Sequence, residues 1–137
     1  MKKRTHLKGI LYALTATFIL IVTYFLLPSP EDLKRTLFPL VAVLGFVFLA
    51  LGIVLIFLSR KEKGKLKGFL LLTGLSAVAP FAGSILHNLF YGLGEAFTAL
   101  IWLFGPLHAA FFIIALLIAP ILFIIGITGC TILLCKK

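Results

Sequence analysis

The side chains that could take part in chemistry gather in one stretch of the sequence, between residues 87 and 108. This polar cluster consists of His87, Asn88, Tyr91, Glu95 and His108. His87 and Tyr91 are four residues apart, so they share one face if this part of the chain is helical. Two imidazoles and a carboxylate are ligands that Zn²⁺ accepts, and histidine also exchanges protons near neutral pH. A chain that folds back on itself here would therefore form a metal site or a proton-handling pair.

The same residues also have ordinary explanations. Polar side chains are common at the edge of a membrane, where headgroups and water solvate them. Glu95 would be stabilised as an acid in the first turn of a short helix, near the positive end of the helix dipole. We therefore predict no catalytic residue, no cofactor and no bound metal, and we retain the five residues only as a candidate site.

No other motif in the sequence points to a reaction. The sequence contains no Ser-His-Asp pattern, no phosphate-binding loop, no Cys-x-x-Cys pair and no His-Glu-x-x-His. Its long apolar runs contain no Asp, Glu, Lys or Arg, whereas ion-coupled transporters usually keep such a group within the membrane. These absences favour a protein that is not an enzyme, and they argue against coupled transport by a single chain.

The apolar runs define the expected fold. Of the 137 residues, 62% are hydrophobic, against about half in a soluble domain. Four uncharged runs reach the roughly 20 residues that cross a bilayer core, and they cover 9–27, 37–58, 68–86 and 109–134. We predict an all-α integral membrane protein with four transmembrane helices in a single domain, residues 1–137. The first run is interpreted as a retained anchor, because no small-x-small cleavage site follows it.

Small residues and prolines predict how the spans pack. The third span is the richest in Gly, Ala and Ser, so we expect it to be the central helix. Pro80 and Pro120 each remove a backbone hydrogen bond inside a span, which predicts a kinked bundle. Gly9, Ala13 and Thr17 recur every fourth residue and form a stripe that another helix could approach closely. The bundle is expected to consist of two helical hairpins, and whether they are an internal repeat is left open.

The segment between the third and fourth spans is too apolar for a solvated loop. Gly92 and Gly94 are expected to end the third span. After them, the spacing of Phe97, Leu100, Ile101 and Phe104 is typical of an amphipathic helix. We predict a short extracytoplasmic helix over about residues 94–104 that lies in the membrane interface or dips into it. A fifth span is the alternative, but it would move the C-terminal lysines to the outer side.

The charges predict the orientation. The chain has 13 basic and 4 acidic residues, a net charge of +9, and 11 of the basic residues fall on one side of a four-span chain. The largest group is the basic loop, made of Arg60, Lys61, Lys63, Lys65 and Lys67. By the positive-inside rule we predict a cell-membrane protein with both termini in the cytoplasm and a basic loop that contacts anionic lipid headgroups. A nucleic-acid partner is not expected, because no aromatic residues are interleaved with the basic ones.

Three functional hypotheses remain. The leading one is a non-enzymatic membrane subunit, scaffold or lipid-contacting protein that associates with itself or with another membrane protein. The second is a small transporter or channel formed as an oligomer. The third is an outer-face enzyme or metal site that uses His87, Glu95 and His108. Cys130 and Cys135 would lie in a reducing compartment, where we expect them to be packing residues or acylation sites.

Overall fold

The computed structural model describes residues 2–136, with side chains from residue 5 onwards, and this part of the chain is helical and without strands. The helices are α1 (Lys2–Leu26), α2 (Glu31–Ser59), α3 (Gly64–Ala96), α4 (Ile101–Ile113) and α5 (Ala119–Cys135). A π-helical turn, Ile114–Ile118, joins α4 to α5 without a break. Four of the resulting helical segments are long and apolar enough to cross a membrane. This confirms the all-α fold and supports a multi-pass membrane protein.

The helices extend beyond the predicted spans, most clearly in α3. This helix has 33 residues and at 1.5 Å per residue is about 50 Å long, whereas the third span was expected to end at residue 86. Gly92 and Gly94 do not end it, since a glycine inside a helix costs only about 1 kcal/mol. Gly94 is also buried, and a Cβ there would lie 3.6 Å from the Cβ of Phe104. Gly94 therefore lies where α3 contacts α4, with space for an ordinary van der Waals contact.

The separate interfacial helix predicted over residues 94–104 is not present. Its residues are divided between the end of α3, a single 3₁₀ turn at Thr98–Leu100, and the first turn of α4. Of the apolar residues that suggested a one-sided helix, Phe97, Leu100 and Ile101 are exposed. Phe104 alone turns inward, with its ring stacked 6.0 Å from that of Phe90. The pattern was misleading because a segment that is apolar all round can be surrounded by lipid.

The two mid-span prolines are accommodated differently. Helix α3 continues through Pro80, and the Ser84 hydroxyl donates a hydrogen bond of 2.7 Å to the Pro80 carbonyl. Pro120 is the second residue of α5, directly after the π-helical turn. Because proline has no N–H for the carbonyl four residues earlier, a wider turn suits the residues before it. The kinks in the two helix axes stay predictions.

Helix α3 is the centre of the bundle, as predicted. In its most apolar window 33% of the residues are buried, against 17% in each of the other three segments. It packs against α2, α4 and α5, whereas α1 packs against α2. Side chains connect α1 to α5, since the ring of Phe18 lies 4.6 Å from that of Phe123 and 6.1 Å from that of Phe48 on α2. The four segments therefore form one bundle.

Glycines allow α3 to approach its neighbours closely. A Cβ added to Gly74 would lie 2.9 Å from the carbonyl oxygen of Gly52 on α2. On the other side, a Cβ added to Gly126 of α5 would lie 2.9 Å from the backbone nitrogen of Thr73. Real Cβ atoms do not come this close to such atoms, so only glycine fits at either position. The backbone of α3 is thus in direct contact with both neighbouring helices.

The stripe predicted in the first helix takes part in this packing only at Thr17, which is buried. Gly9 and Ala13 are exposed, and in the part of the chain that the structure describes no atom lies within 4 Å of a Cβ added to Gly9. Instead, α1 buries Leu7, Leu11 and Leu14 against the bundle. Large apolar side chains fill more of the space between helices than small ones, which explains why the leucine face turns inward.

Candidate functional site

The structure brings the two histidines of the predicted polar cluster into contact. His87 lies on α3 and His108 on α4, and these helices run antiparallel through the turn at residues 97–100. The Nδ1 atoms of the two rings are 3.4 Å apart. The same Nδ1 of His87 lies 2.9 Å from the backbone carbonyl oxygen of His108. Both residues are half-buried.

These contacts assign the hydrogens on the two rings. A carbonyl oxygen only accepts hydrogen bonds, so Nδ1 of His87 carries the hydrogen and donates it. That hydrogen faces both the carbonyl oxygen and Nδ1 of His108. Nδ1 of His108 is then the acceptor, and its neutral ring holds its hydrogen on Nε2. One hydrogen thus lies between the two Nδ1 atoms, and a metal ion bound by both nitrogens would take its place once this hydrogen had moved to Nε2 of His87.

Aromatic side chains enclose the histidine pair. The ring of Phe112 lies 5.3 Å from that of His87, and the ring of Tyr91 meets His108 edge to face at 5.8 Å. Next to them, Phe90 stacks on Phe111 at 5.5 Å. These contacts limit the rotation of the imidazoles and hold them against one another. Tyr91 is therefore a wall of the site rather than a further ligand.

The other two members of the predicted cluster do not join the pair. The amide of Asn88 donates a hydrogen bond of 2.9 Å to the Ser84 carbonyl on its own helix. Glu95 is exposed in the last turn of α3, so its expected place in the first turn of a helix was wrong. That turn is the negative end of the helix dipole, which does not favour a carboxylate. Among the described residues, no three His, Cys, Asp or Glu side chains are grouped to hold a metal ion.

The spacing of the two nitrogens nevertheless suits metal chemistry. Two nitrogen ligands of a tetrahedral Zn²⁺, each at 2.0–2.1 Å, lie about 3.3–3.4 Å apart. The Nδ1 atoms of His87 and His108 are at this separation. The pair could supply two of four ligands, and water or another chain would have to supply the others.

The basic loop forms a second polar region at the opposite end of α3. It borders an open depression of about 440 Å³. From the loop and the start of α3, the depression is lined by Lys61, Glu62, Lys63, Lys65 and Leu66; from α5, it is lined by Leu133 and Leu134. Arg60 instead places its guanidinium 5.0 Å from the centre of the Phe57 ring, which is a cation–π contact. The five basic residues predicted to act together are thus divided between different surroundings.

Two features near this end were not predicted from the sequence. Leu133 and Leu134 join the basic loop only because the end of α5 lies beside the start of α3. Further inside, Sγ of Cys130 lies 3.8 Å from the hydroxyl of Thr73, which also donates to the Phe69 carbonyl. Cys130 is buried and Cys135 is exposed. Their spacing of five residues indicated different helix faces, but not which face is buried.

Comparison of the chain with protein-family models, with curated proteins and with solved structures found no match. Inferences about function therefore depend on the geometry of the histidine pair, the basic loop and the helix packing.

Proposed function

We propose that the protein is a non-enzymatic, multi-pass subunit or scaffold of the cell membrane that associates with copies of itself or with another membrane protein. In this proposal the four helical segments span the bilayer as two hairpins in a kinked bundle. Both termini and the basic loop face the cytoplasm, in agreement with the charge distribution. The proposal accounts for a chain with many apolar side chains on its outside and no recognised reaction motif.

The observation that carries the proposal is the close packing on both sides of α3. The Gly52–Gly74 contact joins α3 to α2, and the Thr73–Gly126 contact joins it to α5 at nearly the same level. Backbones this close leave no space for a solute between those helices. Ser76 and Thr73, the hydroxyls a path there would use, are buried among protein atoms. This packing supports a structural role over transport through the centre of one chain.

The outer surface of α1 supports the self-association part of the proposal. Gly9 and Ala13 leave one face of this helix with little side-chain bulk, and both are exposed. In membranes, helices associate by close van der Waals contact, which small residues in such a stripe permit. A second copy of the chain could place a helix along this face. The bundle's own packing makes no use of it, which distinguishes it from the glycines of α3.

A matched pair of substitutions tests this proposal. Ala13→Leu fills the exposed stripe of α1, and Ala50→Leu makes the same change at an exposed alanine of α2. We expect wild type and Ala50→Leu to form dimers or larger oligomers in nanodiscs, and Ala13→Leu to shift towards the monomer by about fivefold or more. Counting photobleaching steps of singly labelled full-length protein measures the state. A wild-type monomer, or equal behaviour of the two variants, would contradict self-association through α1.

The distance between the histidines supports a second candidate function, a metal site at the outer face. It would use His87 and His108, with water or another chain supplying the remaining ligands; Glu95 would reach the metal only if the end of α3 moved. Titration with Zn²⁺ or Co²⁺ tests it, since tetrahedral Co²⁺ gives a characteristic absorption spectrum. His87→Ala and His108→Ala should each abolish binding, whereas Asn88→Ala should retain it. Absence of binding by the wild type at micromolar metal would remove this candidate.

A further inference from the structure

The depression at the basic end combines a charged rim with an apolar floor. Lys61, Lys63 and Lys65 supply three cationic groups, and Glu62 supplies one acid, so the lining is positive by two charges. The three lysines are exposed. Lysine ammonium groups attract phosphate as compact point charges. The rim is therefore suited to an anion that bears phosphate.

The start of α3 adds backbone donors to this rim. Lys63 is the N-cap residue but makes no side-chain capping hydrogen bond, and the first turn contains no acid. The first N–H groups of a helix lack partners within it and lie at the positive end of its dipole, which favours anions. Gly64 has φ +64°, and no atom of the described residues lies within 4 Å of a Cβ added there. The backbone at this point is open to an approaching group.

The floor of the depression distinguishes a lipid from a soluble ion. Leu66 and Leu133 are half-buried beside the lysines, and Leu134 is buried. Apolar contact with an acyl chain or glycerol backbone is favourable by roughly 25 cal/mol per Å² of buried surface, and free phosphate gains nothing from it. Lys65 and Leu66 are adjacent in sequence, so charge and apolar surface meet within one helical turn.

We propose that this depression is a binding site for the phosphate group of an anionic phospholipid. The lysines at positions 61, 63 and 65 and the first turn of α3 receive the phosphate, while Leu133 and Leu66 contact the apolar part of the lipid. The inference depends on the membrane embedding proposed above. It goes beyond general attraction to a charged surface, because it assigns different roles to lysines of the same loop.

Charge-matched variants of the full-length protein test this assignment. Lys63→Gln with Lys65→Gln removes two charges from the rim. Arg60→Gln with Lys67→Gln removes two charges from the same loop, but neither residue lines the depression. The probe is phosphatidylglycerol added at increasing mole fraction to phosphatidylcholine nanodiscs, with bound lipid counted by native mass spectrometry. We expect the rim pair to weaken retention by about tenfold and the control pair by about twofold or less.

The lipid and free phosphate are distinguished in a second arm. Inorganic phosphate is titrated against protein in neutral nanodiscs and followed by ³¹P NMR, with Leu133→Asn as the additional variant. We expect phosphate to bind far more weakly than the lipid, and Leu133→Asn to weaken lipid retention only. Phosphate binding as tight as lipid binding would overturn the assignment to a lipid, and equal losses in the two charge pairs would overturn the site.

The outcome also separates this inference from the proposed function. Circular dichroism and recovery in nanodiscs report whether each variant folds and inserts. A wild-type protein that does not insert would contradict the membrane function itself. Normal insertion with equal behaviour of the rim and control pairs would contradict only the lipid site.

Discussion

The two ends of α3 place their polar groups in opposite ways. At the basic end, the lysines are exposed and surround an open depression, and the helix begins without a side-chain cap. At the histidine end, His87 turns toward His108, and the ring of Phe112 packs against His87 while that of Tyr91 packs against His108. Charges in water act over roughly 10 Å at moderate salt, while a hydrogen bond needs contact within about 3 Å. When side chains are displaced or substituted, the interactions at the basic end should therefore weaken gradually, and those at the histidine end should be lost abruptly.

The largest expected difference is in the free energy of unfolding, between two glycine-to-alanine substitutions made near opposite ends of α3. Gly83→Ala would place a Cβ 2.8 Å from the Cβ of Ala115 and 3.0 Å from the Phe111 carbonyl oxygen, whereas the Cβ of Gly68→Ala would meet no described atom within 4 Å. We expect Gly83→Ala to lower the free energy of unfolding by about 1–3 kcal/mol. Gly68→Ala should be neutral or raise it by up to about 1 kcal/mol. Steric trapping in bicelles measures both, and equal effects would show that the ends of α3 do not differ in packing.

A smaller effect is expected from removing one polar side chain at each end. His87→Ala removes a hydrogen-bond donor and the ring contacts with His108 and Phe112, so the free energy of unfolding should fall by about 1–2 kcal/mol. Lys65→Ala should change it by less than about 0.5 kcal/mol, because this lysine is exposed. Asn88→Ala, an exposed neighbour at the histidine end, is the control for position. A larger loss of unfolding free energy for Lys65→Ala than for His87→Ala would contradict the proposed difference between the two ends.

The smallest effect on stability is expected from salt. Raising NaCl from about 0.1 to 1 M shortens the screening length from about 10 to 3 Å. Retention of phosphatidylglycerol by the wild type should then fall several-fold, while the free energy of unfolding should change by less than about 0.5 kcal/mol. Potassium glutamate at matched ionic strength controls for chloride. Salt-resistant lipid retention would indicate that the leucine floor, rather than the lysine rim, dominates binding.

The sequence was informative where composition alone decides the structure. Uninterrupted apolar runs predicted the four helical segments, because a backbone in lipid must satisfy its hydrogen bonds within a helix. The small residues Gly74, Ser76 and Ala77 predicted that α3 is central, and all three are buried. The same argument failed for Gly9 in α1. A small residue permits close approach without requiring it, and the leucines of α1 offered a larger surface to bury.

The candidate site was only partly predictable for a different reason. The pairing of His87 with His108 depended on where the chain reverses, and Gly92 and Gly94 suggested that α3 ends earlier than it does. The depression at the basic end required the register between α3 and α5, which are far apart in sequence. Nothing in the local pattern of Leu133 and Leu134 indicates that they lie beside lysines.

The π-helical turn at Ile114–Ile118 sets the rotation of one half of a long helix relative to the other. A π turn holds about one residue more than an α turn, so a chain one residue shorter here could close as an ordinary α turn, whereas one further residue would rotate one half by about 100° relative to the other. Phe123 and Cys130 would keep facing the bundle, while His108 would turn away from His87. The alignment of the histidines is thus a property of chain length within this turn, and a single inserted codon would rotate the two halves relative to each other without breaking the helix.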